Sequence, residues 1–340
     1  MAEQGSDNNN PPEPIAAHHA DDVGDDDDDE GLGLEPYEPS TASLRSSILQ
    51  YRTEHGRTYH AYKDGKYSLP NDDTENERLD LQHHIFCLSY DGRLGLCPLN
   101  DPGAKVGRVL DVGCGTGIWT IDYGDEHPEA EVIGVDLSPI QPSFTPPNVR
   151  FEIDDLEEPW TFSQKFDYIH SRIMTTSFSD WKAYLQKCYD NLNPGGYLEL
   201  ADVGPMYVSD DGTLTEDHAV WKWRSLLVEA AKALGRPFTD PKTYKGLLEE
   251  VGFVDVHETL HRWPVNTWPQ DKKLKEIGAW NYENIMIGME GFSLAFLSRG
   301  LGWSREEIDT FLVDVRKCLR DRRIHTYVPL TTVYGKKPAT

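Results

Sequence analysis

Residues 108–124, RVLDVGCGTGIWTIDYG, constrain the fold more than any other stretch of the chain. A short apolar run leads into three glycines at alternate positions, Gly113, Gly115 and Gly117, and a helical pattern follows. Glycine lets the backbone turn sharply and approach a ligand closely, and the start of a helix offers free N–H groups. The spacing separates ligand classes. Dinucleotide sites use GxGxxG around a pyrophosphate, whereas here position 118 is Ile and the pattern reads DxGxGxG. The carboxylate of Asp111 would repel a pyrophosphate and suits a cationic amino group. Downstream, EVIGVDLS, VRFEIDD, KFDYIHSR, NPGGYLELADV, VDVHETLHRWPV and HTYVPLTTVYGKK read as further strands. GIWTIDYGDEHP, SDWKAYLQKCYDNL and DPKTYKGLLEEVGF read as helices between them. This alternation predicts an α/β fold, a Rossmann-like seven-stranded parallel sheet with helices on both faces.

The acidic positions extend the site. Asp136 ends the second of these strands, where a carboxylate accepts from ribose hydroxyls, and Leu137 follows it. Asp154-Asp155-Leu156 end the third, offering a carboxylate to an adenine amino group and a backbone N–H to the ring. A ligand with an amino-acid end, a ribose and an adenine is S-adenosylmethionine. The expected cofactor contacts are Asp111, Gly113, Cys114, Gly115, Gly117, Asp136, Leu137, Asp154, Asp155 and Leu156, with Cys114 a small filler of the loop. Methyl transfer from a sulfonium needs orientation above all, and a base only if the acceptor arrives protonated. His170, after the fourth strand, is a candidate catalytic base, a cofactor contact or a packed histidine. Arg172 pairs with a substrate carboxylate or a structural Asp, and Met174 follows in the same segment.

Composition bounds the rest. Residues 1–40 hold thirteen Asp/Glu and no Lys/Arg, about half of the net charge of −25, and read as a disordered acidic tail. Residues 41–104 read as an N-terminal helical segment, with a helix over Ser43–Arg57 and another after Thr74, whose Glu77 completes a capping box. Residues 105–340 are the catalytic domain, interrupted by insertions at about 206–239 and 265–323 that hold five of the nine tryptophans. Ser304 caps an amphipathic helix in the second insertion. No apolar run approaches a membrane span, the start has no secretory pattern, and five scattered cysteines suggest a reduced protein without disulfides. The expected localisation is intracellular and soluble, cytoplasm before nucleus. The fourth strand ends in HSRIM, without the Asn/Asp-Pro-Pro-Tyr/Phe that amino-directed nucleic-acid methyltransferases use. With the negative charge, this argues against nucleic acid. Asp80, His83 and His84 have metal-like spacing but no completing cluster, so no metal is expected and the histidines read as a buried, hydrogen-bonded pair.

The glycine turn and its acidic partners resemble the class I methyltransferases dependent on S-adenosylmethionine, over roughly 105–264 and the last strand. A narrower resemblance covers nearly all of 41–340. EHGRTYHAYKDGKYSLPNDDTENERLDLQHH, IQPSFTPPNVRFEIDDLEEPW, FDYIHSRIM and IHTYVPLTTVYGKKP are similar to the fungal LaeA-like (TAM-domain) methyltransferases. The resemblance implies a link to fungal secondary metabolism. It leaves two roles open: an enzyme methylating N or O of a small metabolite, or a regulator acting on protein or as a subunit of a nuclear complex. A cofactor-binding pseudoenzyme is a third. It also implies that the N-terminal arm is a lid bringing Tyr59 or Tyr62 to the cofactor. The insertions would wall the substrate pocket with Trp280, Asn284 and Phe292, beside Arg172 and Met174. The expected partner is a small-molecule substrate, with a protein as the alternative, and no nucleic acid, membrane or metal.

Overall fold

The computed structural model describes residues 51–63 and 65–339. The acidic tail and the first part of the helix expected over Ser43–Arg57 lie outside these residues. The remainder of that helix is corrected. β1 (Arg52–Glu54) and β2 (Arg57–Tyr59) form an antiparallel hairpin. Its two turn residues, His55 and Gly56, both have positive φ, the geometry that matches the twist of a tight hairpin. Helix α1 (Asp73–Ser89) follows, capped by Asp72 and not by Thr74. Asp72 accepts from the Glu75 N–H at 3.1 Å and from the Arg57 guanidinium, so one carboxylate both starts the helix and ties the hairpin to it.

Seven strands form the sheet: β3 (Arg108–Val112), β4 (Glu131–Asp136), β5 (Val149–Ile153), β6 (Phe166–Arg172), β7 (Leu192–Val203), β8 (Val254–Pro264) and β9 (Tyr327–Lys336). Their order is β5-β4-β3-β6-β7-β9-β8. The sheet is mixed where a parallel one was expected, because β9 runs antiparallel to both β7 and β8. The second insertion leaves from the carboxyl end of β8, and Tyr327 re-enters beside Pro264, so the returning chain runs the other way.

Strand alternation sends side chains to opposite faces. Leu110, Val112, Ile133 and Val135 pack against Trp181 and Tyr184 of α3 (Trp181–Asn191) and Tyr244 and Leu248 of α5 (Tyr244–Val251). α4 (Ala219–Ala233), part of the first insertion, comes between these two helices in the sequence but packs elsewhere. Val109, Val132 and Tyr168 face the other way, onto Trp119 and Tyr123 of α2 (Ile118–Glu126). A third cluster joins α1 and α4 to α6 (Lys272–Ser293), the π turn Leu294–Ser298 and α7 (Arg305–Arg320). Ser304 caps α7 in a full capping box with Glu307, as the sequence indicates. Trp223 donates to Ser293 Oγ and Trp263 to Ser89 Oγ, each at 2.8 Å, so the two insertions are tied to each other and α1 is tied to β8. Burying one such aromatic is worth about 1.5–3 kcal/mol, so this helical layer is core and not an appendage.

Candidate active site

The glycine turn runs at the carboxyl end of β3. Gly113, Gly115 and Gly117 all have positive φ, which a side chain would strain. At Gly113 a Cβ would also meet the Met174 thioether, and at Gly117 the Phe151 ring. The Gly113 N–H donates to the Val135 carbonyl at 2.9 Å, and the Gly115 N–H to Asp136 Oδ2 at 2.8 Å. Asp136 Oδ1 accepts from the Ser138 N–H at 2.9 Å. Both oxygens of Asp136 are thus held by backbone, and burial raises its carboxyl above the ordinary range against these hydrogen bonds.

A cavity opens over this turn. Gly113, Cys114, Gly115, Asp136, Leu137, Asp154, Asp155, Leu156, Arg172 and Met174 line it, which brings together ten of the residues singled out from the sequence. Arg172 forms no ion pair among the described residues; its guanidinium lies over the Phe86 ring at 4.9 Å. The expected alternative of a structural Asp partner is therefore not met. At the far edge, Asp155 Oδ2 lies 3.1 Å from Lys66 Nζ, which also donates to Glu157 at 2.8 Å. Glu157 accepts from Arg236 as well. Burial would raise the Glu157 carboxyl, but hydrogen bonds from Arg236, Lys66 and Ser179 outweigh it and hold the group well below the usual range.

Several expected positions do not face this cavity. Asp111 and His170 are neighbours in register on β3 and β6 and point to the α2 face. His170 Nδ1 donates to Asp111 Oδ1 at 2.8 Å, Thr120 Oγ donates to Asp111 Oδ2 at 2.6 Å, and the His170 ring stacks on Trp119. His170 is 2% exposed. It is corrected from candidate base to a buried histidine that fixes Asp111, because strand alternation turns it away from the cavity. Asp111 is likewise corrected, its carboxylate taken up by Thr120 and His170 behind the turn. Gly117 caps α2 instead of touching the cavity. Tyr59 is buried under the Arg299 guanidinium, and neither it nor Tyr62 lines this cavity or the second one described below. The N-terminal segment instead reaches the first cavity through Lys66, Tyr67, Pro70, Asn71, Leu79 and Gln82. Of the histidine pair, His83 is buried and bonded to Asp122 at 2.9 Å, while His84 is exposed against Trp280. Trp280, 40% exposed, sits on the outside of α6 and is corrected as a pocket residue.

A second cavity adjoins the first. Tyr67, Gln82 and Ile173 line both. Its remaining walls come largely from the two insertions, among them Tyr207, Arg224 and Phe238 from the first and Asn281, Asn284 and Phe292 from the second. Asn284 and Phe292 are thus placed at a cavity, as the sequence suggests. Gln82 and Arg224 were missed, Gln82 because it sits on a helix whose buried face is largely polar, and Arg224 because it is a single charge on the otherwise apolar buried face of α4. Ile173 marks the junction with a φ of 55°, a left-handed conformation that is a genuine outlier for a β-branched residue. Hydrogen bonds from its own N–H to Ala201 O and from the Met174 N–H to Asp202 hold it there.

A glycine turn at the end of the central strand, a carboxylate at the next strand end and this strand order define a class I methyltransferase dependent on S-adenosylmethionine. The comparisons agree. A family model described as a methyltransferase domain matches residues 81–258. Methyltransferase pytC of Aspergillus terreus is 38% identical over 302 residues, 88% of this chain and 92% of that one. The secondary metabolism regulator LAE1 of Cochliobolus heterostrophus is 38% identical over 289 residues, 84% and 94% of the two chains. The chain belongs to this fungal methyltransferase family. Among solved structures, phosphoethanolamine N-methyltransferase 2 of Haemonchus contortus is 17% identical with a TM-score of 0.44, covering 90% of this chain and 75% of that one. Among the described residues no helix is long and apolar enough to cross a membrane, and no cluster of three or more His, Cys, Asp or Glu could hold a metal.

Proposed function

We propose that the first cavity binds S-adenosylmethionine and that the second holds a small, flat metabolite whose N or O accepts the methyl group. The carrying observation is that Tyr67, Gln82 and Ile173 wall both cavities, so donor and acceptor meet at that wall. The residues fit the cofactor. Asp136, held in place by two backbone donors, has lone pairs left for the ribose hydroxyls. Leu137 and Leu156 flank an adenine, whose amino group shares Asp155 with Lys66. The cradle at Gly113–Gly115 admits the methionine end, and Arg172 meets its carboxylate. The cofactor brings an electrophilic methyl group on a sulfonium. The chain positions the acceptor, keeps water out and fixes the approach. No His, Asp or Glu lines the second cavity among the described residues, so the acceptor is one that needs little help in losing a proton.

The test is incubation with methyl-labelled S-adenosylmethionine and a fungal extract, with label counted separately in organic-soluble and protein fractions. Label in the organic fraction supports a metabolite acceptor. The LAE1 relative favours a second reading, a regulator acting on protein, and label in the protein fraction would support it instead. Asp136→Ala removes the hydrogen bonds to ribose and should weaken cofactor binding by about 100-fold or more in titration calorimetry. Unchanged affinity would overturn this site.

A further inference from the structure

The second cavity contains two buried arginines in different electrical states. Arg78 is neutralised. Its Nε and Nη2 donate to Glu75 at 3.0 and 2.8 Å, and its Nη1 to Asn284 Oδ1 at 2.8 Å. Arg224 has no such partner. It is 9% exposed, and among the described residues no Asp or Glu pairs with it. Its Nε donates to the Pro205 carbonyl at 3.0 Å and its Nη2 to the Gly204 carbonyl at 3.2 Å. A guanidinium has five N–H donors, so three are left beyond these two bonds, and Arg224 is one of the residues that line the cavity.

The surroundings fix the kind of group that would meet it. The Tyr207 ring lies 5.1 Å and the Phe238 ring 5.6 Å from the guanidinium carbon, and both rings line the same cavity. These rings hold the cation in place and offer flat apolar walls beside it. An unpaired buried cation is costly, and burial pulls the guanidinium below its ordinary range with only Tyr207 opposing. Two carbonyl dipoles offset part of that cost. An oxyanion would offset the rest, and a guanidinium fork matches a carboxylate in bidentate geometry.

We infer that Arg224 anchors the acceptor by an oxyanion, and that the acceptor is a planar aromatic acid whose ring lies between the walls of the second cavity. This rests on reading that cavity as the acceptor's. A carboxylate and an ionised phenol or enol offer the same chemistry to Arg224, so the test must separate them.

The probes are 2-naphthoate, its neutral amide 2-naphthamide, and 1-nitroso-2-naphthol, which is ionised near neutral pH without a carboxylate. Binding is read by calorimetry on the full chain saturated with S-adenosylhomocysteine. One or both anions should bind at least about tenfold more tightly than the amide, the tighter one naming the source of the charge. In Arg224→Gln that preference should fall to about one, and in Arg224→Lys it should survive in part. A purely structural role for Arg224 would shift melting temperature and leave the preference alone. Equal affinity of anions and amide for the wild-type protein would overturn the inference even if the Gln variant failed to fold. A preference that persisted in a folded Gln variant would also overturn it. If S-adenosylhomocysteine bound and no probe did, the planar acid would be wrong and the cofactor site would stand. If S-adenosylhomocysteine itself failed to bind, the proposed function would fall with it.

Discussion

His170 and Asp111 face one another across β6 and β3, and each uses the other to satisfy a buried polar group. Replacing His170 by Leu leaves Asp111 short of a partner and should cost about 1–3 kcal/mol, visible as a lower midpoint in urea. His170→Asn, whose amide can donate where Nδ1 does, should recover much of that loss and keep the wild-type pH profile of turnover. A general base contributes about 10²–10⁴-fold, so a loss of that size in a folded Asn variant would restore His170 to a catalytic role. Of the residues singled out from the sequence, Gly113, Gly115, Asp136, Asp155 and Leu156 lie at a strand end or just past one, and the structure brings them to the first cavity. Asp111 lies one residue before the end of β3, and His170 two before the end of β6. A parity count would have found this, since Val109 and Asp111 share one face of β3 and Tyr168 and His170 share the matching face of β6.

The turn after β6 shows what an element stores. Ile173 is held in a left-handed conformation that costs about 1–3 kcal/mol, and Asp202 of β7 fixes the next residue through the Met174 N–H at 2.6 Å. Asp202 also accepts from the Tyr244 hydroxyl at 2.8 Å. Burial raises its carboxyl from 3.8 to about 7 despite these hydrogen bonds. Below about pH 4 the group is protonated in folded and unfolded chains alike. Between there and pH 7 the unfolded chain releases the proton and the folded chain keeps it. This group's contribution to stability is therefore full in acid and lost as pH rises, by about 1.4 kcal/mol per unit. Asp202→Asn, which cannot titrate, should gain on the wild type by up to roughly 4 kcal/mol in urea unfolding between pH 4 and 7. Parallel curves would show that Asp202 is ionised in the folded protein. Elements with clean periodicity were legible, as all seven sheet strands and the capped helix α7 show. The helix α1 was legible too, but not the roles of its buried polar residues: Glu75 and Arg78 pair with each other, Gln82 lines both cavities and His83 bonds to Asp122, and no hydrophobic pattern reveals that. The β1–β2 hairpin was missed because three-residue strands carry too little alternation to outweigh a helical reading.

Across the whole molecule, the sheet, the lid and the insertions close into one body through Trp223, Trp263 and the Glu54–Arg299 ion pair at 2.6 Å. The acidic residues 1–40 are read from the sequence as a tail outside the folded unit. Deleting them should leave both the melting temperature and the affinity for S-adenosylhomocysteine unchanged. A fall of more than a few degrees would mean that the tail is part of the folded unit. The class of fold was legible because strand and helix alternate at regular spacing. The second cavity was legible only in part: Asn284 and Phe292 of the second insertion were read as pocket residues, but Tyr207, Arg224 and Phe238 were not, because the walls come from segments distant in sequence that meet only in three dimensions. That separation has an evolutionary consequence. The proposed donor side rests on Gly113 and Gly117, where a side chain would meet Met174 and Phe151, and on Asp136, whose oxygens are both held by backbone, so it tolerates few substitutions. The proposed acceptor side is walled largely by two inserted stretches. A lineage built this way can exchange one acceptor for another by changing the inserted stretches alone, and so diversify its products while inheriting its donor chemistry intact.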